Sequence, residues 1–141
     1  MSTEQNKALV RRYLEAFNRH SADAQDGVLA PTYTFHEHGE TREDTSDASE
    51  FIRDFWTAIP DLHYEDDYTM VAEGDLVSLQ ATLTGTFTAP MEFFGRVIQP
   101  NGLAQSYWVW SVFRFEDELV VEWWFNPNPL GLKKWFFVDA K

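Results

Sequence analysis

The chain has 141 residues and no cysteine, and 16% of its residues are aromatic. This length suits one domain with a full hydrophobic core, so we expect a single domain over residues 1–141. A formal net charge of −12 argues against nucleic acid and anionic membrane as partners, because phosphates would be repelled. The absence of cysteine excludes disulfide and thiolate chemistry. The first residues lack the apolar core of a signal peptide, and no apolar run reaches membrane-spanning length, so we expect a cytoplasmic protein.

The first half of the sequence predicts three helices, because apolar residues recur there at helical spacing. Ser2 or Thr3 can cap the first helix, and Pro60 ends the third. A short strand and an acidic, solvated loop separate the second helix from the third. The predicted helices are Thr3–Arg19, Ala22–Leu29 and Asp47–Ile59, and the predicted strand and loop are Tyr33–His38 and Gly39–Ser46.

After Pro60 the pattern changes to a period of two, which predicts strands. Gly74-Asp75 and Asp117-Glu118 are the natural hairpin turns, although the second lacks the usual glycine. Thr88–Gly102, which is rich in proline and glycine, is predicted to be a long irregular connection. The predicted strands are Leu62–Ala72, Leu76–Phe87, Leu103–Phe115 and Leu119–Phe125. Helices followed by hairpins predict an α+β fold, with three N-terminal helices packed on a strongly curved antiparallel sheet.

The last hairpin allows side chains to be assigned to the two faces of the sheet. A two-residue turn places Glu116 opposite Leu119, so odd positions of the first strand share a face with even positions of the second. A β-bulge would shift this assignment locally. The predicted mixed face, which suits a small-molecule pocket, carries Tyr107, Val109, Ser111 and Phe113 with Glu122, Trp124 and Asn126. The predicted apolar face, on which we expect a second subunit, carries Trp108, Trp110 and Val112 with Val121, Trp123 and Phe125.

Five segments in this order resemble the SnoaL-like polyketide cyclases of the nuclear-transport-factor-2-like fold. They are Lys7–Tyr13; Leu29–Tyr33 with His36; Ile59–Leu62; Val71–Asp75 through Leu83–Thr86; and Phe113–Phe115 through Glu122, Trp124 and Leu130–Leu132. The resemblance implies a cone-shaped α+β barrel whose mixed sheet wraps a cavity, and dimers or tetramers assembled through the outer sheet face. It also implies ring closure by intramolecular aldol condensation without a metal or organic cofactor. In the family an aspartate just before the Leu-Gly-Leu segment is the general acid/base. That position is Asn128 here, and asparagine cannot exchange a proton near neutral pH.

Glu122 and His36 are the candidate catalytic residues. Glu122 lies between large rings on the predicted mixed face, where burial would raise its pKa and suit it to acid/base chemistry. The alternative is a carboxylate paired with Arg114. His36 is a candidate hydrogen-bonding or proton-shuttling group, or else a structural histidine bonded to the backbone. His36 and His38 could together hold zinc, but no third ligand is identifiable, so we expect no metal.

Nine further residues are predicted to contact a hydrophobic ligand. The aromatic residues on helical stripes are otherwise plain core, and the apolar residues of the long connection form either an adaptable lid or a simple plug. The asparagines orient a carbonyl or hydroxyl group, or are ordinary turn residues before proline. The predicted ligand-contacting residues are Tyr13, Phe17, Trp56, Met91, Phe94, Tyr107, Trp124, Asn126 and Asn128.

Two functions of different classes fit these features. The first is a cofactor-free cyclase, isomerase or hydrolase that acts on a polyketide-like or polycyclic metabolite through Glu122 and His36. The second, favoured by Asn128, is a non-catalytic ligand-binding or dimerisation module that has lost the family's catalytic aspartate. An epoxide-hydrolase-like activity needs an Asp–Arg–Asp set that we cannot assemble from the sequence. For both functions we expect a hydrophobic small molecule as partner, no cofactor, and a homodimer or tetramer.

Overall fold

The computed structural model describes residues 2–21, 25–37, 39–45, 49–93 and 95–128, and within these ranges the side chains of all but residues 25, 26, 49–51 and 93. The described part contains an N-terminal helix, Thr3–Asn18, and a second helix, Ser49–Ala58, while Gln25–Val28 forms a single helical turn. The strands are β1 Leu29–Glu37, β2 Glu40–Thr45, β3 His63–Tyr64, β4 Thr69–Glu73, β5 Leu76–Thr86, β6 Met91–Phe93, β7 Arg96–Ile98, β8 Ala104–Glu116 and β9 Leu119–Pro127.

Seven of these strands form one large mixed sheet in the order β2-β1-β9-β8-β5-β3, with β4 also paired to β5. The β1–β9 pair is parallel and the other pairs are antiparallel. Strands β6 and β7 form a separate two-stranded hairpin. The expected α+β class with a large curved sheet is therefore confirmed.

The expectation of three N-terminal helices is wrong. The first helix is confirmed, and its N-terminus is a capping box in which the Gln5 backbone N–H donates to Ser2 Oγ at 3.1 Å. Of the predicted second helix, residues 22–24 lie outside the described residues, and the described part is the turn Gln25–Val28, because Leu29 already pairs with Val120 as part of β1. The predicted third helix is present as Ser49–Ala58. Its expected cap is Thr45 or Ser46. Thr45 is the last residue of β2, and Ser46 lies outside the described residues.

The segment Gly39–Ser46 is also not the solvated loop that its composition predicts. Residues Glu40–Thr45 form the edge strand β2, which pairs antiparallel with β1 from Thr32↔Thr45 to Glu37↔Glu40. Four of the six residues are charged, and an edge strand tolerates this because its side chains stay largely exposed. Backbone pairing to β1 therefore overrides the polar sequence.

Two further predicted elements are divided in the structure. The single strand predicted over Leu62–Ala72 is two short strands, β3 and β4, which lie one after the other along the same edge of β5. The irregular connection predicted over Thr88–Gly102 contains the β6–β7 hairpin. Both predicted two-residue turns are confirmed, and Asp117 and Glu118 adopt φ values of 49° and 67° without the help of glycine.

The core lies between the helices and one face of the sheet, which we call the inner face. The sequence predicts that Leu9, Val10, Tyr13, Leu14 and Phe17 form the buried stripe of the N-terminal helix. All but Leu9, which is only partly buried, are buried against the inner face. From the sheet, Phe113 and Val120 are almost completely buried. No helix in the described part of the chain is long and apolar enough to cross a membrane.

A β-bulge in the β8–β9 hairpin overturns the predicted faces of β9. The turn sets Glu116 opposite Leu119 as expected, but the register shifts by one residue between Arg114 and Phe115. Beyond the shift, Phe113 pairs with Trp123, and Ser111 with Phe125. Cross-strand partners share a face, so Trp123 and Phe125 belong to the inner face. Glu122, Trp124 and Asn126 lie on the opposite, outer face, opposite Arg114, Val112 and Trp110.

Candidate functional site

The inner face carries a continuous aromatic surface centred on Trp123. The ring of Trp123 lies 5.4 Å from that of Phe35 and 5.7 Å from that of Phe125, both edge-on. Its other neighbours on the sheet are Tyr33, at 6.3 Å, and Phe113, at 5.2 Å. Five rings on three adjacent strands therefore form one apolar surface, which we call the aromatic floor.

The N-terminal helix covers this floor from above. Tyr13 stands edge-on to Trp123, with ring centroids 5.5 Å apart. The chain of rings continues from Tyr13 to Phe17 at 6.4 Å and from Phe17 to Trp56 of the second helix at 5.6 Å. The predicted residues Tyr13, Phe17 and Trp56 are thus brought together with the floor, where all three are buried in the core.

Two indole N–H groups in this aromatic region have no hydrogen-bond acceptor among the described residues. They belong to Trp56 and Trp123, each of which is only 7% exposed. A buried N–H without an acceptor costs free energy comparable to a lost hydrogen bond, so few are found in native proteins. A bound molecule with an oxygen acceptor could satisfy such a group.

Charged residues lie beside the aromatic floor, on the inner face of β1 and β2. Arg42 lies between two carboxylates, with Nη1 3.9 Å from Glu37 Oε1 and Nη2 3.4 Å from Asp44 Oδ2. The guanidinium carbon of Arg42 is 4.5 Å above the ring of Phe35, at cation–π distance. We call Glu37, Arg42 and Asp44 the charged rim. The rim is a carboxylate–guanidinium–carboxylate arrangement of the kind that could not be assembled from the sequence.

Burial and the carboxylates of the charged rim raise the pKa values of two tyrosines. Burial raises the pKa of Tyr33, and the nearby carboxylate of Asp44 raises it further. Burial likewise raises the pKa of Tyr107, with smaller contributions from Tyr64 and from Glu37. Both phenols therefore stay protonated at physiological pH, as hydrogen-bond donors rather than bases.

The predicted catalytic pair, Glu122 and His36, does come together, but on the outer face. His36 Nε2 lies 2.7 Å from Glu122 Oε2, and because a carboxylate only accepts, Nε2 carries the hydrogen. Arg114 Nε donates to the other carboxylate oxygen at 3.0 Å. Thr41 Oγ1 is 2.8 Å from His36 Nδ1, and the ring of Trp124 stacks on the imidazole at 4.9 Å. We call these five residues the outer network.

The expected rise in the pKa of Glu122 is wrong. The hydrogen bond from His36 is the largest cause that lowers this pKa, and the hydrogen bond and charge of Arg114 lower it further, against a smaller opposing effect of burial. The alternative interpretation, a carboxylate paired with Arg114, is confirmed. Glu122 is thus a stable anion, unlike the half-protonated carboxyl group that general acid/base catalysis favours near neutral pH.

The other predicted ligand contacts are scattered. Met91 and Tyr107 are buried in the core, whereas Asn126 is exposed on the outer face. The Asn128 backbone N–H donates to the Trp108 carbonyl at 3.0 Å, which extends the β8–β9 pairing past Pro127. Phe94 and His38 lie outside the described residues. Within the described ranges, no three histidine, aspartate or glutamate side chains are grouped so that they could hold a metal.

Sequence reasoning missed Trp123 and Phe125 as floor residues and missed the charged rim entirely. The signal for the floor was partly present, since Tyr33, Phe35 and Glu37 alternate along β1. The bulge has no comparable signal, because the Asp117-Glu118 turn itself has the expected length. The charged rim can be predicted only if Glu40–Thr45 is recognised as a strand, and the polar composition of this segment predicts a loop instead.

Comparison with known proteins places this geometry in a family. A family model described as a SnoaL-like domain matches residues 10–123. The chain belongs to the SnoaL-like family. The match ends at Trp123, so Asn128 and the residues after it lie beyond the matched region. A comparison with functionally curated proteins finds no match.

Several solved structures resemble most of the chain. AclR, a proposed hydroxylase from Streptomyces galilaeus, is 28% identical with a TM-score of 0.80, over 94% of this chain and 81% of AclR. A proposed SnoaL-like polyketide cyclase from Jannaschia sp. CCS1 is 22% identical with a TM-score of 0.77, over 95% and 92% of the two chains. IdmH, a proposed polyketide cyclase from Streptomyces antibioticus, is 21% identical with a TM-score of 0.70, over 89% and 93%. The last two support the fold alone.

Proposed function

We propose that this SnoaL-like protein binds an apolar, ring-containing small molecule against the aromatic floor. The observation that carries the proposal is the buried N–H of Trp123, which lies at the centre of the floor without an acceptor among the described residues. Apolar walls with a few fixed polar groups are the usual composition of a small-molecule site. A flat polycyclic molecule with a carbonyl oxygen matches this combination, because its rings can pack on the floor while its oxygen accepts from Trp123.

Binding is better supported than acid/base chemistry through the residues the sequence suggested. Glu122 and His36 lie on the outer face, whereas the aromatic floor lies on the inner face of the same sheet. Side chains on opposite faces cannot contact one ligand across the backbone of a sheet. Asn128, which the resemblance implies is at the position of the family's aspartate, cannot transfer a proton. We therefore propose a ligand-binding protein as the main function.

A binding assay with matched tryptophan variants tests this proposal. The probe is chrysophanol, a neutral dihydroxyanthraquinone, with its affinity measured by isothermal titration calorimetry. Trp123→Phe removes the N–H and part of the ring, and we expect the affinity to fall about tenfold. Trp110→Phe makes the same change on the outer face, where Trp110 is 52% exposed, and we expect no change in affinity.

Two outcomes would contradict a site on the floor. One is no measurable binding of chrysophanol by the wild type, and the other is an equal loss of affinity in both variants. Thermal unfolding of each variant, followed by circular dichroism, separates a loss of binding from a loss of fold.

A second candidate function is cofactor-free ring closure, and the structural neighbour IdmH is described as a proposed polyketide cyclase. One observation favours it, namely that Glu37 brings a carboxylate to the ligand side of the sheet. If the wild type turns over a polyketide methyl ester, Glu37→Gln should lower the rate about a hundredfold, while Glu122→Gln should leave it unchanged. Activity that appears only in Asn128→Asp would instead support a binding protein that lost its acid.

We also propose that the protein forms a homodimer through the outer face. Trp108 and Trp110 are 43% and 52% exposed there, which is unusual for two large apolar side chains on one strand. This surface differs from the predicted one because of the bulge: Trp123 and Phe125 lie on the inner face, and Trp124 lies on the outer face. Aromatic residues are enriched in the centres of protein interfaces, which supports this assignment.

A further inference from the structure

The outer network lies within the surface that we propose as the dimer interface. His36 on β1 and Val112 on β8 are the two cross-strand partners of Trp124, so the three side chains form one row across the outer face. Trp110 lies in the next row, on the same face of β8 as Val112. A second copy that covers Trp110 would therefore also approach His36. This inference rests on the proposed dimer, since it concerns the regulation of that interface.

A second copy of this chain suits the charges of this surface. In a two-fold dimer a surface patch meets itself, so the patch must carry both members of each complementary contact. The outer face does so beside the exposed tryptophans, because Arg114 supplies a cation and Glu116 and Glu122 supply carboxylates, at 2.9 Å and 3.0 Å from it. Aromatic residues and arginine are also enriched at interfaces between proteins.

The charged groups around His36 are mostly carboxylates. Glu122 on β9 accepts from His36 at 2.7 Å, and Arg114 and Glu116 follow on β8. Glu43 is exposed on the same face of β2. Three carboxylates and one guanidinium leave two negative charges here while the imidazole is neutral. A two-fold dimer would double this charge within one interface, and the two copies would repel each other.

Among these described groups, the imidazole is the one whose residue type changes charge near neutral pH. Histidine ordinarily gains a proton between pH 5 and 8, where carboxylates and guanidinium groups keep their charges. The hydrogen bond from His36, and then that from Arg114, lower the pKa of Glu122, so this carboxylate stays an anion. His36 Nε2–H donates to Glu122 in either state, while Nδ1 can accept from the Thr41 hydroxyl or, once protonated, donate to it. Protonation therefore changes the charge of the outer network without breaking it.

We propose that pH regulates the dimer through His36, whose protonation reduces the negative charge around the outer network and so tightens the association of two copies. A proton on each imidazole halves the residual charge, which lowers both the repulsion between the copies and the cost of removing these groups from water. Dimer formation is then linked to the uptake of up to one proton per protomer. The affinity between the copies should therefore rise as pH falls from 8 to 6.

Sedimentation equilibrium at pH 6 and pH 8, in low salt, measures the dissociation constant of the dimer. We expect the constant of the wild type to be about tenfold lower at pH 6, the size of a one-unit shift in one linked proton. His36→Gln keeps an N–H donor toward Glu122 but cannot gain a proton, so the ratio should fall to about twofold or less. His63→Gln makes the same change on β3, at the other end of the sheet, and should keep the wild-type ratio.

The outcomes distinguish the inference from the dimer on which it rests. A ratio that survives in His36→Gln, or that His63→Gln removes equally, would overturn the assignment to His36. A wild-type dimer of equal strength at both pH values would reject the regulation and retain the dimer, whereas a monomer at both values would overturn both proposals. Circular dichroism shows whether each variant is folded.

A second measurement needs no variant. The heat of dilution of the wild-type dimer, measured in two buffers of different ionisation enthalpy, gives the number of protons released on dissociation. We expect proton release near pH 6.5, because the dimer binds protons that the separated copies hold less tightly. Dissociation without proton release would overturn the proposal.

Discussion

The sequence predicts a catalytic role for Glu122, but in the structure its carboxylate binds two side chains of adjacent strands. Its two oxygens accept separately from His36 at 2.7 Å and from Arg114 at 3.0 Å, so each oxygen is held by one charged or polar partner. Its side chain is 21% exposed, and solvent therefore only partly screens these contacts. The outer network ties β1 to β9 and β9 to β8, which are adjacent strands at the middle of the sheet.

We predict that Glu122→Gln lowers the free energy of unfolding by about 1 kcal/mol at pH 7, because two charge-assisted hydrogen bonds become neutral ones. The folded-state pKa of Glu122 is depressed, first by the hydrogen bond from His36. Its stabilisation is therefore present above the unfolded-state pKa of about 4.3 and is lost as pH falls through the lower folded-state value. Urea unfolding at pH 7 and at pH 3 measures this, and an equal difference between the proteins at both values would contradict it.

Residue types predicted the composition of the site better than its location. Helical spacing predicted that Tyr13, Phe17 and Trp56 face the core, and the structure groups them above the floor. Their contact with a ligand was expected only from the resemblance and stays a prediction. The face of Glu122 was not predictable, because it depends on one bulged residue between two well-formed strands. An extra residue at a bulge reverses every later side chain, and period-two patterns of large apolar residues on both faces conceal the reversal.

Among the elements, those with strong periodicity were predicted and those held by pairing alone were not. β5 alternates buried and less buried residues over most of its length, so its sequence and structure agree. β2 consists of Glu40–Thr45, and only its contacts with β1 make it a strand. The two-strand form of Leu62–Ala72 likewise depends on how β3 and β4 follow the edge of β5.

The turn after the second helix is fixed to β5 by one carboxylate. Asp61 Oδ1 accepts from the Thr86 backbone N–H at 2.7 Å, and Oδ2 accepts from the Thr86 hydroxyl at 2.8 Å. Burial acts to raise the pKa of Asp61, but the hydrogen bonds from Thr86, with smaller contributions from its own backbone and from His63, outweigh burial, so the pKa is lowered. This carboxylate thus joins a helix–strand connection to the end of a central strand.

We predict that Asp61→Ala lowers the free energy of unfolding at pH 7 by about 0.5–1 kcal/mol, a value reduced by the exposure of this turn to solvent. Because the folded-state pKa is depressed, Asp61 stabilises the fold fully above the unfolded-state pKa of about 3.9, and there the variant should show its full loss of stability. The difference between the two proteins should disappear as pH falls through the folded-state pKa. Asp66→Ala, an exposed carboxylate on the following segment, is the control and should change little. Chemical denaturation across this pH range is the measurement, and an equal effect of the two variants would refute the role of Asp61.

At the scale of the whole molecule, the chain carries a net negative charge, but the carboxylates of Glu116 and Glu122 on the outer face are paired with a cation. On β8 and β9 the carboxylates of Glu116 and Glu122 both pair with Arg114, at 2.9 Å and 3.0 Å. Further along the same face of β8 lie the exposed tryptophans Trp108 and Trp110, and Trp110 Nε1 donates to Ser78 Oγ at 3.2 Å. Local pairing of charge beside exposed rings lets two copies of an acidic chain approach each other here, where unpaired carboxylates would repel.

We predict that the wild type is dimeric at micromolar concentration and that Trp110→Glu dissociates it, since burial of an unpaired carboxylate in an interface is costly. In a two-fold dimer each substitution appears twice in the same surface, which enlarges the effect. Val97→Glu is the matched control, because Val97 is 63% exposed on the separate β6–β7 hairpin and receives the same added charge. Light scattering coupled to size exclusion measures the mass of each protein. A monomeric wild type, or equal dissociation by the two variants, would rule out a dimer built on the outer face. Selective dissociation by Trp110→Glu would instead assign the exposed tryptophans to the dimer interface, and the inner face would remain available for the ligand.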